Sequence, residues 1–416
     1  MKRKQFFLIP LAALAITAMV FTACKKDDDP KDLTLETLVA GTIDLNAAVA
    51  PTTVPLEPTI VATFSTEIDP ATAIPANITL TQNYDNTDIE LTITVAGKSI
   101  TVVPKTVLGS GTLYDLKFKA GLKSTEDKFM TEVSRNFTTE GTFAPAGVIA
   151  HWTFEDNAND VAGSYNPAAN GIVDIAYVAS RNAAAGKAAD FNGTSSIIEI
   201  PNGDVLINTK DFTISFWVKA MDQGKGHFVI GLGAFYGLQF EMFGGLDGAK
   251  FAIRYELEDG TTAGEDMWFP SDATFNGNGG WQGWDFAKAI APADMISMLK
   301  EKWLHVIYTY DGDAKKATLY YNGEKMKSFD FNLWPDGDAK RGVKGMKYDG
   351  AMPDVNNDLA FGFIQSRAGS MWANEPWGGY TFPEANHFKG QLDDIRIYHK
   401  VLTPAEILLM YNSEKP

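Results

Sequence analysis

The chain has few of the residues on which disulfides, zinc hydrolysis and nucleic-acid binding depend. Its 416 residues include one cysteine, Cys24, so no disulfide can form within the chain. The five histidines are scattered, and none belongs to a His-Glu-x-x-His motif, which argues against a zinc hydrolase. Lysine and arginine number 36 against 52 aspartates and glutamates, giving a formal net charge of -16. Such a charge repels phosphates, so nucleic acid is not an expected partner.

Patterns of paired catalytic carboxylates are also scarce. Retaining glycosidases place two carboxyl groups about 5 Å apart. The nearest stretch, Glu256-Leu257-Glu258, ends a predicted strand at a turn, and we interpret both glutamates as facing solvent. We therefore predict no catalytic residue from the sequence.

The first 24 residues read as an export signal. Lys2-Arg3-Lys4 precede an uncharged apolar run, Phe6 to Ala23, and Cys24 follows directly. The run is also long enough for an uncleaved anchor helix. The segment resembles a bacterial lipoprotein signal, which implies removal of residues 1–23 and lipidation of Cys24. The charged run Lys25-Lys26-Asp27-Asp28-Asp29 resembles the tag of Bacteroidetes surface lipoproteins, which implies an outer-membrane location facing the cell exterior.

Residues 24–37 are interpreted as a lipidated tether, and residues 38–143 as a first domain. Short β-rich runs alternate there with turns: Ile60–Phe64, Ile78–Leu80, Leu91–Val95, Ile100–Val103, Leu113–Phe118 and Arg135–Thr139. This spacing predicts an antiparallel sandwich of seven strands. The stretch resembles the bacterial Ig-like domains of surface-layer proteins in four places: Phe64-Ser65, Ile68-Asp69, Gly121-Leu122-Lys123 and Phe137-Thr138-Thr139. We expect a spacer, with a binding module as the alternative.

Residues 147–412 form the second predicted domain, and they are also strand-rich. Six motifs occur in order: Ile149–Glu155, Ala189–Gly193, Phe212–Lys219, Trp303–Asp311, Leu319–Gly323 and Gly390–Ile407. Together they resemble a laminin-G-like jelly roll of the concanavalin A-like lectin and glucanase superfamily. The resemblance implies two curved antiparallel sheets, so the whole chain is expected to be all-β, an Ig-like sandwich followed by a concanavalin A-like one.

Alternation and turn chemistry predict several local features of this domain. Two sets of apolar residues alternate on one face of a strand, and we expect the two faces to meet across the sandwich: Phe212, Ile214, Phe216 and Val218, and Leu304, Val306, Tyr308 and Tyr310. Asn192-Gly193 and Asn322-Gly323 predict hairpins. Helical spacing is confined to Ala291–Lys302 and to the segment after Thr403, where Thr403 and Glu406 form a capping box.

Two glycine-rich inserts, residues 266–288 and 363–388, contain unusually many aromatic residues. An indole face can stack on the C–H face of a pyranose, so tryptophans on loops suit sugar binding. The candidate carbohydrate-binding residues are Trp268, Trp281, Trp284, Trp372, Trp377 and Tyr380. The alternative is that these rings merely pack the inserts onto the sandwich.

The last strand contains an aspartate, Asp393, that is a candidate metal ligand. In Gly390–Tyr398, alternation places Asp393 with Ile395 and Ile397 on the apolar face, where a carboxylate needs a partner. In calcium-bearing members of the superfamily, main-chain oxygens near the first strand and the hairpin glycine hold a structural ion together with an Asp of the last strand. Carried over by motif, the Ca²⁺ ligands are Glu155, Gly193 and Asp393. Without metal, Asp393 would be hydrogen-bonded to backbone amides.

These observations favour a cell-surface lipoprotein that binds polysaccharide or host glycan through its second domain without cleaving it. Its expected partners are the glycan, the outer membrane through the lipid, and neighbouring proteins of glycan uptake. A glycoside hydrolase or lyase of the same superfamily is one alternative, and two carboxylates facing each other in a cleft would favour it. A protein-binding adhesin or structural surface component is the other, and buried insert tryptophans would favour that.

Overall fold

The computed structural model describes residues 32–270 and 284–416 of the chain. These residues fold into two β-sandwiches that follow one another in sequence. Within the described ranges, no helix combines the length and apolar character needed to cross a bilayer. The segment up to Cys24 and the charged run after it lie outside the described residues.

The first sandwich packs a five-stranded sheet against a four-stranded one. Its strands are β1 (Leu35–Ala40), β2 (Ile43–Asp44), β3 (Ile60–Phe64), β4 (Ile78–Gln82), β5 (Asp88–Ile89), β6 (Leu91–Ala96), β7 (Ser99–Pro104), β8 (Leu113–Phe118) and β9 (Val133–Thr138). The sheet orders are β2-β1-β3-β7-β6 and β5-β4-β8-β9. Seven of these strands have five residues or more, as the sequence predicts, and β2 and β5 add two residues each. Alternate residues such as Phe64 and Phe118 meet in its core.

The second sandwich is larger, and its described residues include three α-helices. Its strands are β10 (Val148–Trp152), β11 (Ile172–Val173), β12 (Ala176–Ala179), β13 (Lys187–Asn192), β14 (Ile197–Ile200), β15 (Phe212–Ala220), β16 (His227–Leu232), β17 (Leu238–Met242), β18 (Ala249–Leu257), β19 (Thr262–Phe269), β20 (Trp284–Ala287), β21 (Leu304–Asp311), β22 (Lys316–Tyr321), β23 (Glu324–Asp330), β24 (Val343–Met346), β25 (Leu359–Phe361) and β26 (Lys389–Tyr398). The helices are α1 (Gly203–Ile207), α2 (Pro292–Leu299) and α3 (Pro404–Glu414).

Two antiparallel sheets form this second sandwich. One has the order β12-β13-β26-β15-β21-β22-β23-β20, with β10 also paired to β26, and nine strands in all. The other has the order β11-β14-β25-β16-β17-β18-β19, with β24 also paired to β18, and eight strands in all. Phe216 of the first sheet packs edge-on against Phe240 of the second, with ring centroids 5.2 Å apart. The all-β prediction is therefore confirmed.

One predicted packing relation is wrong. The alternating residues of β15 and β21 do not face each other across the sandwich, because the two strands are neighbours in the nine-stranded sheet. Phe216 lies opposite Val306 in that pairing, so both sets share one face. That shared face packs against the eight-stranded sheet, where Phe251 lies 5.0 Å from Tyr308 between ring centroids.

A β-bulge changes the faces of the last strand. Trp217 lies opposite Asp393 and Ser215 lies opposite Arg396, so two residues of β26 stand against one of β15. Asp394 within the bulge has a φ of 47°. The predicted alternation, which put Asp393 on the face of Ile395, is therefore wrong. Ile395 points into the core, whereas Asp393 and Arg396 lie on the outer face of the nine-stranded sheet.

The two Asn-Gly pairs differ in outcome. Asn322-Gly323 joins β22 to β23 as a two-residue hairpin, with φ values of 51° and 79° that suit a type I′ turn. Asn192-Gly193 does not close a hairpin, because β13 and β14 belong to different sheets. The side-chain oxygen of Asn192 instead accepts backbone hydrogen bonds from residues 194–196, which fixes the crossing between the sheets.

Helix α3 is the closing helix that the sequence predicts. The Thr403 hydroxyl accepts from the Glu406 amide and the Glu406 carboxylate accepts from the Thr403 amide, which completes the capping box. Ile407 and Met410 are buried on the outer side of the nine-stranded sheet. The predicted helix near Met295 is also present, as α2.

The first sandwich contacts the second at this same outer side. Tyr84, between β4 and β5, packs edge-on against Phe143 at 5.5 Å between centroids. Its hydroxyl donates to Oε1 of Glu406 at 3.2 Å. Phe143 joins the apolar cluster beneath α3 that includes Leu402 and Ile407. Among the described residues, these contacts of the first domain lie at the outer side of the nine-stranded sheet.

Candidate functional site

One row of side chains crosses four neighbouring strands on the outer face of the eight-stranded sheet. Phe228 of β16 lies opposite Glu241 of β17. Lys250 of β18 lies opposite Glu241 on one side and opposite Trp268 of β19 on the other. Directly opposed residues of an antiparallel pair share a face. Their neighbours along the strands, such as Phe240, are buried in the core, so this row faces away from it.

Charged and amide side chains of this row and of the positions next to it along the strands form a polar surface, which we call the floor. Lys250 Nζ lies 3.4 Å from Glu241 Oε1 and 3.3 Å from Asp266 Oδ2. Gln239 Nε2 donates to Glu241 Oε2 at 2.5 Å. The Asp266 side chain is 41% exposed, whereas those of Lys250 and Glu241 are 15% and 18% exposed. The floor is thus a connected set of hydrogen-bonding groups within reach of solvent.

An aromatic wall stands beside this floor. Trp372 and Trp377 lie 4.9 Å apart between ring centroids, and Phe235 lies 6.0 Å from Trp372. Trp377 is 43% exposed although it also contacts Phe228. Trp372 has a φ of 58°, a conformation that costs a non-glycine residue on the order of 1–3 kcal/mol. The surrounding structure therefore holds the Trp372 ring in place against a local backbone preference.

Between wall and floor lies a cavity of about 340 Å³, which we call the groove. Its lining consists of Phe228, Phe235, Gln239, Glu241, Lys250, Asp266, Trp372 and Trp377. Rings on one side and polar groups on the other suit a ligand that has an apolar face and several hydroxyl groups.

The second insert is fastened to the sheet so that it can carry this wall. Glu199 of β14 accepts from Arg367 Nε at 3.1 Å and Nη2 at 2.6 Å, and from the Ser366 hydroxyl at 2.9 Å. The Tyr380 hydroxyl donates to the Ser195 carbonyl oxygen at 2.5 Å. Burial raises the pKa of Tyr380 to about 12, so this hydroxyl keeps its proton at neutral pH.

The six predicted sugar-binding residues fall in different places. Trp372 and Trp377 line the groove, and Trp268 ends its row with 47% of its surface exposed. Tyr380 does not line the groove but packs under the insert, against Phe363 and His387. Trp284 begins β20, which belongs to the other sheet. Trp281 lies outside the described residues.

The three residues predicted to bind calcium are not brought together. Asn192, next to Gly193, lies opposite Lys389. Lys389 precedes Asp393 by four residues, a separation of about 13 Å along a strand. The Glu155 carboxylate accepts from the Lys187 amide. Within the described ranges, no three His, Cys, Asp or Glu side chains are grouped so as to hold a metal. The positions of Gly193 and Asp393 are therefore too far apart along the strands to share one ion directly.

Asp393 instead belongs to a buried charge cluster beneath α3. Arg181 donates through Nη1 to Asp393 and through Nη2 to Asp394, both at 2.5 Å. Arg396 lies 3.0 Å from Asp394 and 2.8 Å from Glu414. Burial, followed by the charge of Asp394, raises the pKa of Asp393 to about 8. The carboxyl groups of Asp393, Asp394 and Glu414 outnumber the guanidinium groups of Arg181 and Arg396. This excess of negative charge favours a proton on one of the carboxyl groups.

His151 and His305 are neutral at physiological pH. His151 Nε2 lies 2.7 Å from Asp394, yet burial and the charge of Arg396 lower its pKa. His305 stacks on Trp217 at 4.7 Å between centroids, and burial lowers its pKa to about 3. Neither residue lines the groove, and both have structural partners.

Sequence reasoning missed the groove floor. Gln239 and Glu241 alternate with Leu238, Phe240 and Met242 in β17, a pattern that marks them as facing outward. That signal gives the face of a strand. It does not show that β17, β18 and β19 lie side by side and bring two carboxylates to one lysine.

Comparison with known proteins supports the two-domain architecture. The bacterial Ig-like domain model matches residues 42–139, and the concanavalin A-like lectin/glucanases superfamily model matches residues 192–356. No curated protein matches the chain in sequence.

Several solved structures are similar to 64% of this chain. The receptor binding domain of botulinum neurotoxin type G is 14% identical, with a TM-score of 0.37 and 51% of that chain covered. The binding domain of Paraclostridial Mosquitocidal Protein 1 is 19% identical, with a TM-score of 0.40 and 52% covered. This chain thus spans about half the length of those structures, and similarities this distant do not assign it a ligand. The two family matches, one to a bacterial Ig-like domain and one to the concanavalin A-like lectin/glucanases superfamily, follow one another along the chain in the order that the sequence predicts.

Proposed function

We propose that this protein is a lipid-anchored surface protein that binds a polysaccharide or host glycan in the groove without cleaving it. The observation that carries the proposal is the wall of Trp372 and Trp377 beside a polar floor on an open sheet face. A pyranose ring can stack its C–H face on an indole while its hydroxyls exchange hydrogen bonds with the floor. Trp377 keeps enough exposed surface for such a contact.

The floor contains two carboxylates, which also raises the hydrolase alternative. Glu241 and Asp266 both contact Lys250, so their nearest oxygens are no farther apart than the sum of those two contacts. Glycosidases separate their carboxyls by about 5–9.5 Å and need one of them protonated as a general acid. The Lys250 ammonium group lies within 3.4 Å of both carboxylates and occupies the place between them where a glycosidic bond would have to lie. Binding therefore explains this floor better than general acid catalysis does.

The position of the first domain suits presentation of the groove to the outside. Tyr84 and Phe143 contact the nine-stranded sheet side, whereas the groove opens on the eight-stranded sheet. A chain anchored through Cys24 would then hold the groove on the side of the second domain away from its Ig-like spacer. Anchoring beside proteins of glycan uptake would raise the local concentration of captured polymer.

Affinity electrophoresis of the full chain against plant, algal and host polysaccharides tests the proposal. The detergent must carry no sugar, and the same mixtures are assayed for new reducing ends. We expect retardation on at least one polymer, no reducing ends, and at least a tenfold loss of affinity in Trp377→Ala, equivalent to about 1.4 kcal/mol. Because Trp377 is 43% exposed, its removal should change the unfolding temperature little.

Phe129→Ala is the matched control, since this ring is 60% exposed in the first domain, far from the groove. It should leave retardation unchanged. New reducing ends that vanish in Glu241→Gln would establish the hydrolase instead. Absence of retardation on every polymer would favour the adhesin alternative.

The anchor has a separate test. Cys24→Ser should move the protein from the membrane fraction to the soluble fraction, and protease added to intact cells should digest the wild type. A wild type that resists protease on intact cells would contradict the surface location.

A further inference from the structure

The groove floor carries more negative than positive charge. Among the described residues that line it, Lys250 is the only cation, and it lies within 3.4 Å of both Glu241 and Asp266. The Gln239 side-chain amide donates a hydrogen bond to Glu241, and this residue contributes a dipole but no charge. A bound carboxylate or sulfate would therefore meet an ammonium group that already has two anionic partners.

Cations next to the groove are also engaged. Arg254, two residues beyond Ala252 on β18, donates through Nε to Asp349 at 2.8 Å, and its Nη2 lies 2.8 Å from the same oxygen. Lys225 Nζ donates to the carbonyl oxygens of Pro383 and Ala385 at 2.9 and 2.6 Å. Neither cation is available to balance an acidic sugar without breaking its present contacts. The net charge of -16 repels polyanions from the molecule as a whole.

Lys250 is held in its position by aromatic contact as well. Its ammonium group lies 5.1 Å from the centroid of the Trp268 ring, a cation–π distance. Two carboxylates and an indole face thus fix the lysine, which leaves it able to donate to a hydroxyl oxygen but poorly placed to pair with a new anion. A hydroxyl group needs no counter-charge, and the aromatic wall accepts an uncharged pyranose face.

Resting on the proposed function, we infer that the glycan bound in the groove carries no carboxylate or sulfate groups. Glu241 and Asp266 act as the specificity-determining residues, because they cancel Lys250 and leave the floor with one excess negative charge. The ligand class is an uncharged or amino-substituted polysaccharide, and acidic polymers such as alginate, polygalacturonate and chondroitin sulfate are excluded.

The test compares a polymer that the full chain retains with its own carboxymethylated derivative, so that backbone and linkage stay matched. We expect at least a tenfold weaker retention of the derivative at low salt. The difference should shrink as salt shortens the Debye length from about 30 Å at 0.01 M to about 3 Å at 1 M. Equal or stronger retention of the derivative at low salt would overturn the inference.

A charge variant supplies the second arm. In Glu241→Gln/Asp266→Asn, Lys250 loses both partners, and the derivative should be retained at least tenfold better than by the wild type. Asp266→Asn alone serves if the double variant does not fold, because that side chain is 41% exposed. An unchanged preference in the folded variant would contradict the role of these carboxylates. Absence of retention of every polymer by the wild type would instead overturn the proposed function, so the two failures remain distinguishable.

Discussion

Removing one arginine from the charge cluster beneath α3 should destabilise the second domain strongly. Arg396 is 5% exposed and lies 3.0 Å from Asp394 and 2.8 Å from Glu414. Arg396→Met keeps the aliphatic length but leaves three buried carboxyl groups with Arg181 alone. Breaking a buried ion pair from one side costs about 3–5 kcal/mol. For a domain of this size that corresponds to a fall of roughly 6–20 °C in unfolding temperature.

The loss should depend on pH in a defined direction. Burial raises the pKa of Asp393 to about 8 and raises that of Glu414, so the folded state binds protons that the unfolded state releases above about pH 4. The stability that these groups contribute is therefore largest at acid pH and falls as pH rises towards 8. Without Arg396 the carboxyl groups lose a cation, so the deficit of the variant should be larger at pH 8 than at pH 5. For each proton that the folded state binds in excess of the unfolded state, the free energy of unfolding falls by about 1.4 kcal/mol per pH unit.

Tryptophan fluorescence during urea unfolding is a suitable assay, because all nine tryptophans lie between residues 152 and 377 and none is in the first domain. Lys344→Met is the control: its ammonium group lies 3.4 Å from Glu256 at the surface, and its loss should cost less than about 1 kcal/mol. A loss below about 1 kcal/mol in Arg396→Met, or an equal loss at both pH values, would refute the reasoning.

Three further predictions concern the insert, the metal question and the domain contact. Arg367→Ala removes the guanidinium group that donates to Glu199, so limited proteolysis should cut residues 363–388 faster, and an unchanged rate would show that other contacts suffice. EDTA should leave the unfolding temperature unchanged, because the Asp393 carboxylate already has Arg181 as its partner, and a fall that calcium reverses would contradict this. Tyr84→Phe removes the hydrogen bond to Glu406, and calorimetry should show a loss of about 0.5–1.5 kcal/mol rather than none.

Local features of the fold were predictable because they depend on neighbouring residues. The capping box of Thr403 and Glu406 and the Asn322-Gly323 turn both appear as predicted. Pairing between distant strands was not predictable in the same way. Asn192-Gly193 has the chemistry of a hairpin, yet the following strand joins the other sheet. The bulge at Asp394 likewise depends on β15, which is far away in the sequence.

The candidate site shows the same division. Aromatic residues on glycine-rich loops drew attention to Trp372 and Trp377, and both line the groove. Glu241 and Asp266 come from different strands and meet only through Lys250 on the strand between them. A single sequence gives the outward face of each strand but not the order of the strands, so the charges of the floor became visible only in the folded sheet.

The two strands that complete the second domain come late in the chain. Strand β26 lies between β15 on one side and β13 and β10 on the other, and β25 lies between β14 and β16. His151 and Asp394, which meet in this arrangement, are 243 residues apart. The early strands therefore cannot complete their pairing until the stretch from β25 to β26 is available. Trp372 and Trp377 are encoded between β25 and β26, so the groove wall is synthesised in the same interval. Completion of the sheets and formation of the groove wall therefore depend on the same late part of the chain.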